Sequence, residues 1–139
     1  MGKVTVAVRI ENLGDLYKVN QGVLLPDQVR SVDVTDALVD TGTTGFLMPK
    51  RYITQLGLQP LRVREAQTVG GKVSLPVYRA VRLTIQGRDC ISDVSEVSDE
   101  LPVIVGQVPL ELLDWVVDLN GRQLIGNPAH GGEDMIEVF

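Results

Sequence analysis

The sequence has little of several features that would direct a functional assignment. Cys90 is the only cysteine among 139 residues, so no intrachain disulfide can form and nothing indicates an oxidising compartment. Aromatic residues make up 4% of the chain, which leaves valine, leucine and isoleucine to fill a core. No apolar run approaches the roughly 20 residues of a membrane-spanning helix. The N-terminal residues 1–6 lack a signal-peptide pattern, so we expect a cytoplasmic protein with no membrane partner.

Basic clusters and metal-ligand patterns are also missing. The formal net charge is -5 and no dense Lys or Arg run occurs, so we expect no nucleic-acid partner. One histidine, His130, and one cysteine cannot build a structural zinc site, and no Gly-x-Ser-x-Gly elbow is present for a serine hydrolase. His130 lies in a stretch that predicts a surface turn, and the acidic residues 133–137 are interpreted as a solvated tail rather than a cation site. We therefore expect no metal and no cofactor.

What the sequence does contain is a series of short β-type runs. Val4, Val6, Val8 and Ile10 alternate with polar residues, which predicts a half-buried strand. Further strands are predicted at residues 32–39, 73–77, 81–85, 90–97, 101–106 and 122–125. Residues 12–15 predict a turn, and short helices are predicted at 50–56, closed by a glycine, and at 109–117. This pattern indicates a single mainly β domain over residues 1–139 with one or two short helices.

One arrangement of elements occurs twice. An apolar strand, a glycine and a helix begun by proline occur first at residues 37–56 and again at 103–117. This pattern fits a weak internal duplication, and it fits equally well two β-loop-α units that arose independently.

The clearest candidate for chemistry is Asp40-Thr41-Gly42, which follows the apolar strand end at residues 37–39. The strand fixes the backbone, and the glycine allows a sharp turn that brings peptide N–H groups near the carboxylate. The threonine hydroxyl can donate and accept hydrogen bonds. Taken alone the tripeptide is only suggestive, because an aspartate that opens a turn after a strand is common. Asp33 and Asp36, upstream on the same strand, are interpreted as exposed positions.

The ordered set of motifs resembles the retropepsin-like aspartic proteases over nearly the whole chain. Residues 37–43 resemble the catalytic loop, Gly70-Gly71 and their flanking strands resemble the flap, and residues 103–106 resemble the element before the C-terminal helix. Segments 11–15 and 106–111 resemble microbial clan AA proteases. Many of those relatives carry Ala or Ser where this chain has Thr43.

The resemblance implies a retropepsin-like (acid protease) closed β-barrel with a flap hairpin, one lobe per chain. It implies Asp40 as the catalytic residue, with Thr41, Gly42 and Thr43 supporting its loop. Val69, Gly70 and Gly71 would form the flap tip that closes over a peptide or protein substrate. Because each chain has one Asp-Thr-Gly and is too short for two lobes, the resemblance implies a homodimer in which two Asp40 residues activate a water molecule.

Some alternatives remain open at this point. The same fold could bind an extended peptide without cleaving it, or could serve as a structural dimer with a vestigial site. Thr43 is expected to donate a hydrogen bond to the carboxylate of Asp40, although it could instead pack its methyl group. The apolar tail, residues 135–139, is expected to contribute to dimerisation or else to fold back on its own subunit.

Overall fold

A seven-stranded sheet dominates the computed structural model, which describes residues 3–139. The strands are β1 (Val4–Asn12), β2 (Ser31–Val39), β3 (Phe46–Pro49), β4 (Gln59–Thr68), β5 (Gly71–Ile85), β6 (Arg88–Val97), β7 (Ile104–Val105), β8 (Trp115–Asp118) and β9 (Gln123–Gly126). The α-helices are α1 (Leu13–Asn20), α2 (Lys50–Leu56) and α3 (Gln107–Leu113), with 3-10 turns at Pro26–Gln28 and Pro128–His130. No helix in this described range is long and apolar enough to cross a bilayer.

The sheet closes on itself. Its strand order is β1-β2-β7-β3-β6-β5-β4, and β1 also pairs with β5, so six strands form a ring. The closed, mainly β barrel that the resemblance implied is therefore confirmed. The strand β4 lies outside the ring and pairs with β5 over residues 59–68, forming a long hairpin. A separate hairpin of β8 and β9 follows α3.

The barrel interior is aliphatic. Inward positions alternate with outward ones at residues 4–10 of β1, as predicted, and at residues 81–85 of β5, where Ile10, Leu83 and Ile85 are fully buried. Each such side chain contributes about 1.5–3 kcal/mol through burial. Cys90 belongs to this core, and its burial raises the pKa of the thiol to about 11.

The turn predicted at residues 12–15 is wrong, because a helix begins there. Asn12 caps α1: its side-chain oxygen accepts the backbone N–H of Asp15 at 3.0 Å, while its amide donates to the carbonyl of Leu56 at 2.8 Å. Asp15 is buried and accepts two side-chain hydrogen bonds from Arg30, at 2.8 and 2.9 Å. This contact lowers the pKa of Asp15 to about 2. The polar pair fixes α1 against the start of β2.

The helix predicted at residues 109–117 starts earlier and ends sooner. It spans Gln107–Leu113 and stops where Asp114 adopts a left-handed conformation, with φ of 57°. The next four residues form β8, so Trp115 packs on the core from a strand rather than from a helix. Its indole N–H donates to the carbonyl of Ile85 at 3.1 Å. The helix predicted at 50–56 is confirmed, including its left-handed cap at Gly57.

Candidate active site

Asp40 leaves the C-terminal end of β2 and remains tied to the neighbouring strand. Its backbone N–H donates to the carbonyl of Val105 at 3.0 Å, which continues the parallel pairing of β2 with β7 by one residue. Its own carbonyl accepts the backbone N–H of Thr43 at 3.1 Å, and this bond closes a tight turn. The side chain is half-buried, so the turn holds the backbone still while the carboxylate remains accessible.

Both carboxylate oxygens of Asp40 accept a hydrogen bond from its own loop. The backbone N–H of Gly42 lies 2.9 Å from Oδ1, and the hydroxyl of Thr43 lies 3.0 Å from Oδ2. The hydrogen bond that we expected from Thr43 is therefore present. A Cβ at position 42 would lie 3.2 Å from Oδ1, a tight contact that would push the carboxylate aside by a few tenths of an ångström. Donors aimed at both oxygens of a carboxylate fix its orientation.

The start of α3 braces this loop from behind. The backbone N–H groups of Gly106, Gln107 and Val108 donate to the carbonyls of Gly45, Thr43 and Thr44 at 2.9, 2.7 and 2.9 Å. A Cβ at Gly106 would overlap the carbonyl oxygens of Gly45 and Thr43, so only glycine permits the approach. These supporting residues were not assigned from the sequence. The repeated strand-glycine-helix arrangement at residues 103–117 was the sequence feature that could have indicated them. In the structure the strand of this second unit, β7, lies directly beside β2.

An open depression lies beside Asp40. It has a volume of about 230 Å³ and is lined mainly by apolar residues of β1, β2 and the β8 region, including Leu38, Val117 and Leu119. Thr41 is exposed at its edge, and its side chain has no hydrogen-bond partner among residues 3–139. The exposed side of the Asp40 loop is therefore a surface that a peptide or a second molecule can cover.

The hairpin of β4 and β5 ends at the residues predicted as the flap tip. Val69 and Gly70 form the turn, and Val69 is fully exposed. The hydroxyl of Thr68 accepts the N–H of Gly70 at 3.1 Å and donates to the carbonyl of Gly71 at 2.8 Å. Gly71 has φ of 115°, a conformation that other residues rarely adopt. We use the name flap below for this hairpin, residues 59–79.

The remaining candidates lie elsewhere. Asp33 and Asp36 are exposed on β2, as predicted, and Asp33 pairs with Arg9. No group of three His, Cys, Asp or Glu side chains within residues 3–139 is placed to hold a metal ion.

His130 lies in a turn, as predicted, but its ring is mostly buried. Its Nδ1 lies 2.6 Å from Asp114 Oδ2 and its Nε2 lies 2.8 Å from Glu137 Oε1. The two carboxylates, Asp114 first, raise the pKa of His130, and His130 in turn lowers the pKa of Asp114 to about 2. Glu137 is thus a partner of His130 rather than only part of a solvated acidic tail.

Comparison with known proteins agrees with this geometry. A family model described as aspartyl protease matches residues 26–109, which is more than half of the chain. The chain belongs to the aspartyl protease family. That family is part of the retropepsin-like clan. None of the curated proteins compared with this chain matches it.

The matched part of this aspartyl protease contains the features described above. It includes Asp40 and its loop, the complete flap and the bracing residues up to Pro109. The family to which the chain belongs is a protease family, and proteases are hydrolases.

Proposed function

We propose that the chain is a homodimeric aspartic endopeptidase in which Asp40 of two subunits activates a water molecule for peptide hydrolysis. The observation that carries the proposal is the Asp40 carboxylate itself. Two donors from its own loop hold it, at 2.9 and 3.0 Å, and it faces an open surface. The proposal takes residues 1–139 as one cytoplasmic domain that needs no cofactor.

The single copy of the motif supports a dimer. General acid–base hydrolysis by carboxylates needs one ionised group to take a proton from water and one protonated group to polarise the scissile carbonyl. This chain has one Asp-Thr-Gly, so the second carboxylate comes from a second subunit. A twofold axis beside Asp40 brings the two groups together and gives both the same loop.

The two carboxylates would share one proton. Two negative charges at close range repel strongly, so only one of them ionises readily. The ionised Asp40 acts as the base and the protonated Asp40 of the other subunit acts as the acid, and no covalent intermediate is needed. Thr43 and Gly42 hold the carboxylate of Asp40 in position in each subunit.

The test combines catalysis with association. Wild type should cleave members of a peptide library, Asp40→Asn should cleave none, and a statine-type inhibitor should bind wild type and lose affinity for Asp40→Asn. Specific activity should fall on dilution below the dimer dissociation constant, because a single subunit holds half a site.

Three results would contradict the proposal. Concentration-independent cleavage by a proven monomer would exclude the shared site. Peptide binding without cleavage at any concentration would instead identify a non-catalytic peptide-binding module, and a dimer that keeps its Asp40 residues far apart would identify a structural one.

A further inference from the structure

A row of paired side chains crosses the outer face of the sheet from the catalytic strand to the flap. Residues that are paired in neighbouring strands lie on the same face of a sheet. Six adjacent strands contribute one member each to this row: Leu38, Ile104, Leu47, Ser95, Val77 and Arg62. Sequence neighbours of these residues, such as Ala37, Phe46 and Val94, belong to the barrel core, so the row lies on the outer face.

Asp40 lies on this same face. It follows Leu38 by two positions, and its hydrogen bond to Val105 continues the strand pairing, so the period of two places both side chains on one side. A peptide that reaches the carboxylate of Asp40 must therefore lie against the outer face. Ile104 and Val77 are buried, so its path toward the flap runs over the partly exposed members of the row, Leu38, Leu47 and Ser95.

Two arginines occupy the flap end of this face. Arg62 is paired with Val77, and Arg64 is paired with Leu75, two positions nearer the tip. Both arginines are exposed, whereas Val77 is buried. Lys72 is paired with Gln67 and lies on the opposite face of the same hairpin.

Neither arginine has a partner within residues 3–139. Most other arginines of that range form ion pairs: Arg9 with Asp33, Arg30 with Asp15, Arg51 with Asp99, Arg79 with Asp93 and Arg82 with Glu11. Asp93 lies two residues before Ser95, on the face of the row, but Arg79 already pairs with it at 3.0 Å. Arg62 and Arg64 thus present two positive charges without a counter-ion, on a chain whose net charge is -5.

We propose that Arg62 and Arg64 bind an acidic side chain of the substrate, so that the enzyme prefers peptides that carry Asp or Glu within about seven residues of the scissile bond. A guanidinium group suits a carboxylate because its N–H groups can bind both oxygens at once. The inference rests on the proposed function, since it names the substrate class of that site.

The distances permit one peptide to reach both ends. Five steps between neighbouring strands separate β2 from β4, which gives at most about 24 Å along the sheet at about 4.8 Å per step. An extended peptide covers that span with about seven residues, and curvature of the sheet shortens it further. A substrate held at Asp40 can therefore place a side chain beside Arg62 or Arg64.

Charges on an edge strand also have another role, which is to prevent edge-to-edge aggregation. β4 is the edge of the sheet, so this role must be separated from substrate binding. If the arginines serve only to prevent aggregation, neutral replacements at positions 62 and 64 should increase light scattering and leave the peptide preference unchanged.

The test uses synthetic peptides on the full chain at about pH 6, where a Glu side chain, with its ordinary pKa of about 4.3, is ionised. Cut sites in a randomised library are found by mass spectrometry, and the best substrate is compared with its Glu-to-Gln counterpart. Wild type should favour the acidic peptide by about three- to tenfold in kcat/KM. Arg62→Gln and Arg64→Gln should each reduce this ratio, and Arg64→Lys, which keeps the charge but cannot bind both oxygens in the same way, should reduce it less than Arg64→Gln does.

Lys72→Gln is the matched control, because it removes the same charge from the other face of the hairpin and should leave the ratio unchanged. The same peptides are also titrated against Asp40→Asn by fluorescence anisotropy, which needs no catalysis. Tighter binding of the Glu peptide than of its Gln counterpart, weakened by both arginine variants, supports the inference. If wild type nevertheless cleaves no peptide, only the proposed function fails. Cleavage without acidic preference, or a preference that neither arginine variant alters, overturns the inference and leaves the protease intact. Absence of both cleavage and binding overturns both.

Discussion

At the scale of single residues, the hydroxyl of Thr43 has a measurable role. It donates to Asp40 Oδ2 at 3.0 Å and so helps to hold the carboxylate in one orientation. We predict that Thr43→Ala lowers kcat/KM about three- to tenfold, because the carboxylate loses one of the two donors that hold it. Steady-state kinetics with a cleaved peptide measure this loss.

Thr43→Ser provides the control for this prediction. It keeps the hydroxyl and removes only the methyl group, so its kcat/KM should match that of wild type. If kcat/KM is unchanged in the alanine variant, Thr43 contributes packing alone.

His130 connects the C-terminal segment to the barrel, and this connection depends on pH. Asp114 and Glu137 raise the pKa of His130, so its contribution to stability is complete below about pH 6.5 and is lost as the pH rises through the raised value. The pKa of Asp114 is lowered to about 2, so its contribution is present above about pH 4 and is lost toward pH 2. We predict that His130→Gln lowers the unfolding midpoint most near pH 5–6, by a few degrees, and less at alkaline pH.

Thermal unfolding of both proteins from acid to alkaline pH checks this prediction. Glu137→Gln removes only the exposed partner of His130 and should have a smaller effect. Parallel curves for wild type and His130→Gln across the whole range would contradict it.

At the scale of elements, substitutions at the flap tip should affect catalytic turnover more than the stability of the fold. Gly70 and Gly71 lie outside the barrel, so we predict that alanine at both positions lowers kcat several-fold and changes the unfolding midpoint by only a few degrees. Gly71 has a positive φ and resists replacement, whereas a Cβ at Gly70 would only touch the hydroxyl of Thr68 at 3.7 Å. Gly70→Ala alone is therefore the milder probe.

Gly22→Ala is the control for backbone strain. Gly22 also has a positive φ, of 74°, but lies in a turn after α1 with open space around it. It should lose a similar small amount of stability and keep normal kinetics. Unchanged turnover in the Gly70 and Gly71 double variant would leave the flap without a catalytic role.

Sequence patterns predicted the elements whose signals are local. The alternation of apolar and polar residues predicted β1, and the glycine at position 57 predicted the end of α2. The Asp-Thr-Gly motif pointed to the loop of Asp40. Local sequence patterns failed where contacts between residues distant in the sequence determine the secondary structure. α3 ends at Asp114 with no glycine to mark the end, and Trp115 joins a strand because β9 pairs with it. The bracing of the loop by residues 106–108 links positions about sixty residues apart, which no local pattern can show.

At the scale of the whole molecule, the C-terminal tail is expected to strengthen the dimer. The backbone N–H of Met135 donates to Asp114 and Glu137 contacts His130, yet Ile136, Val138 and Phe139 remain exposed. These apolar side chains gain stability only if another surface covers them. We predict that deletion of residues 135–139 raises the dimer dissociation constant tenfold or more.

Analytical ultracentrifugation over a dilution series measures this constant. Glu137→Gln weakens the contact with His130 but keeps the apolar side chains. This variant therefore distinguishes the effect of attaching the tail to its own subunit from the effect of burying its apolar side chains. A truncated chain with the dissociation constant of the full chain would exclude the tail from the interface.

The burial of Cys90 makes the protein convenient for spectroscopic labelling. With its pKa raised to about 11, the thiol stays protonated near neutral pH and reacts slowly with maleimides or methanethiosulfonates. A cysteine introduced at the fully exposed Val69 would therefore take up a spin label or fluorophore selectively, without prior removal of the native cysteine. In a dimer the distance between two such labels would report directly how far the two hairpin tips move apart when a peptide is released.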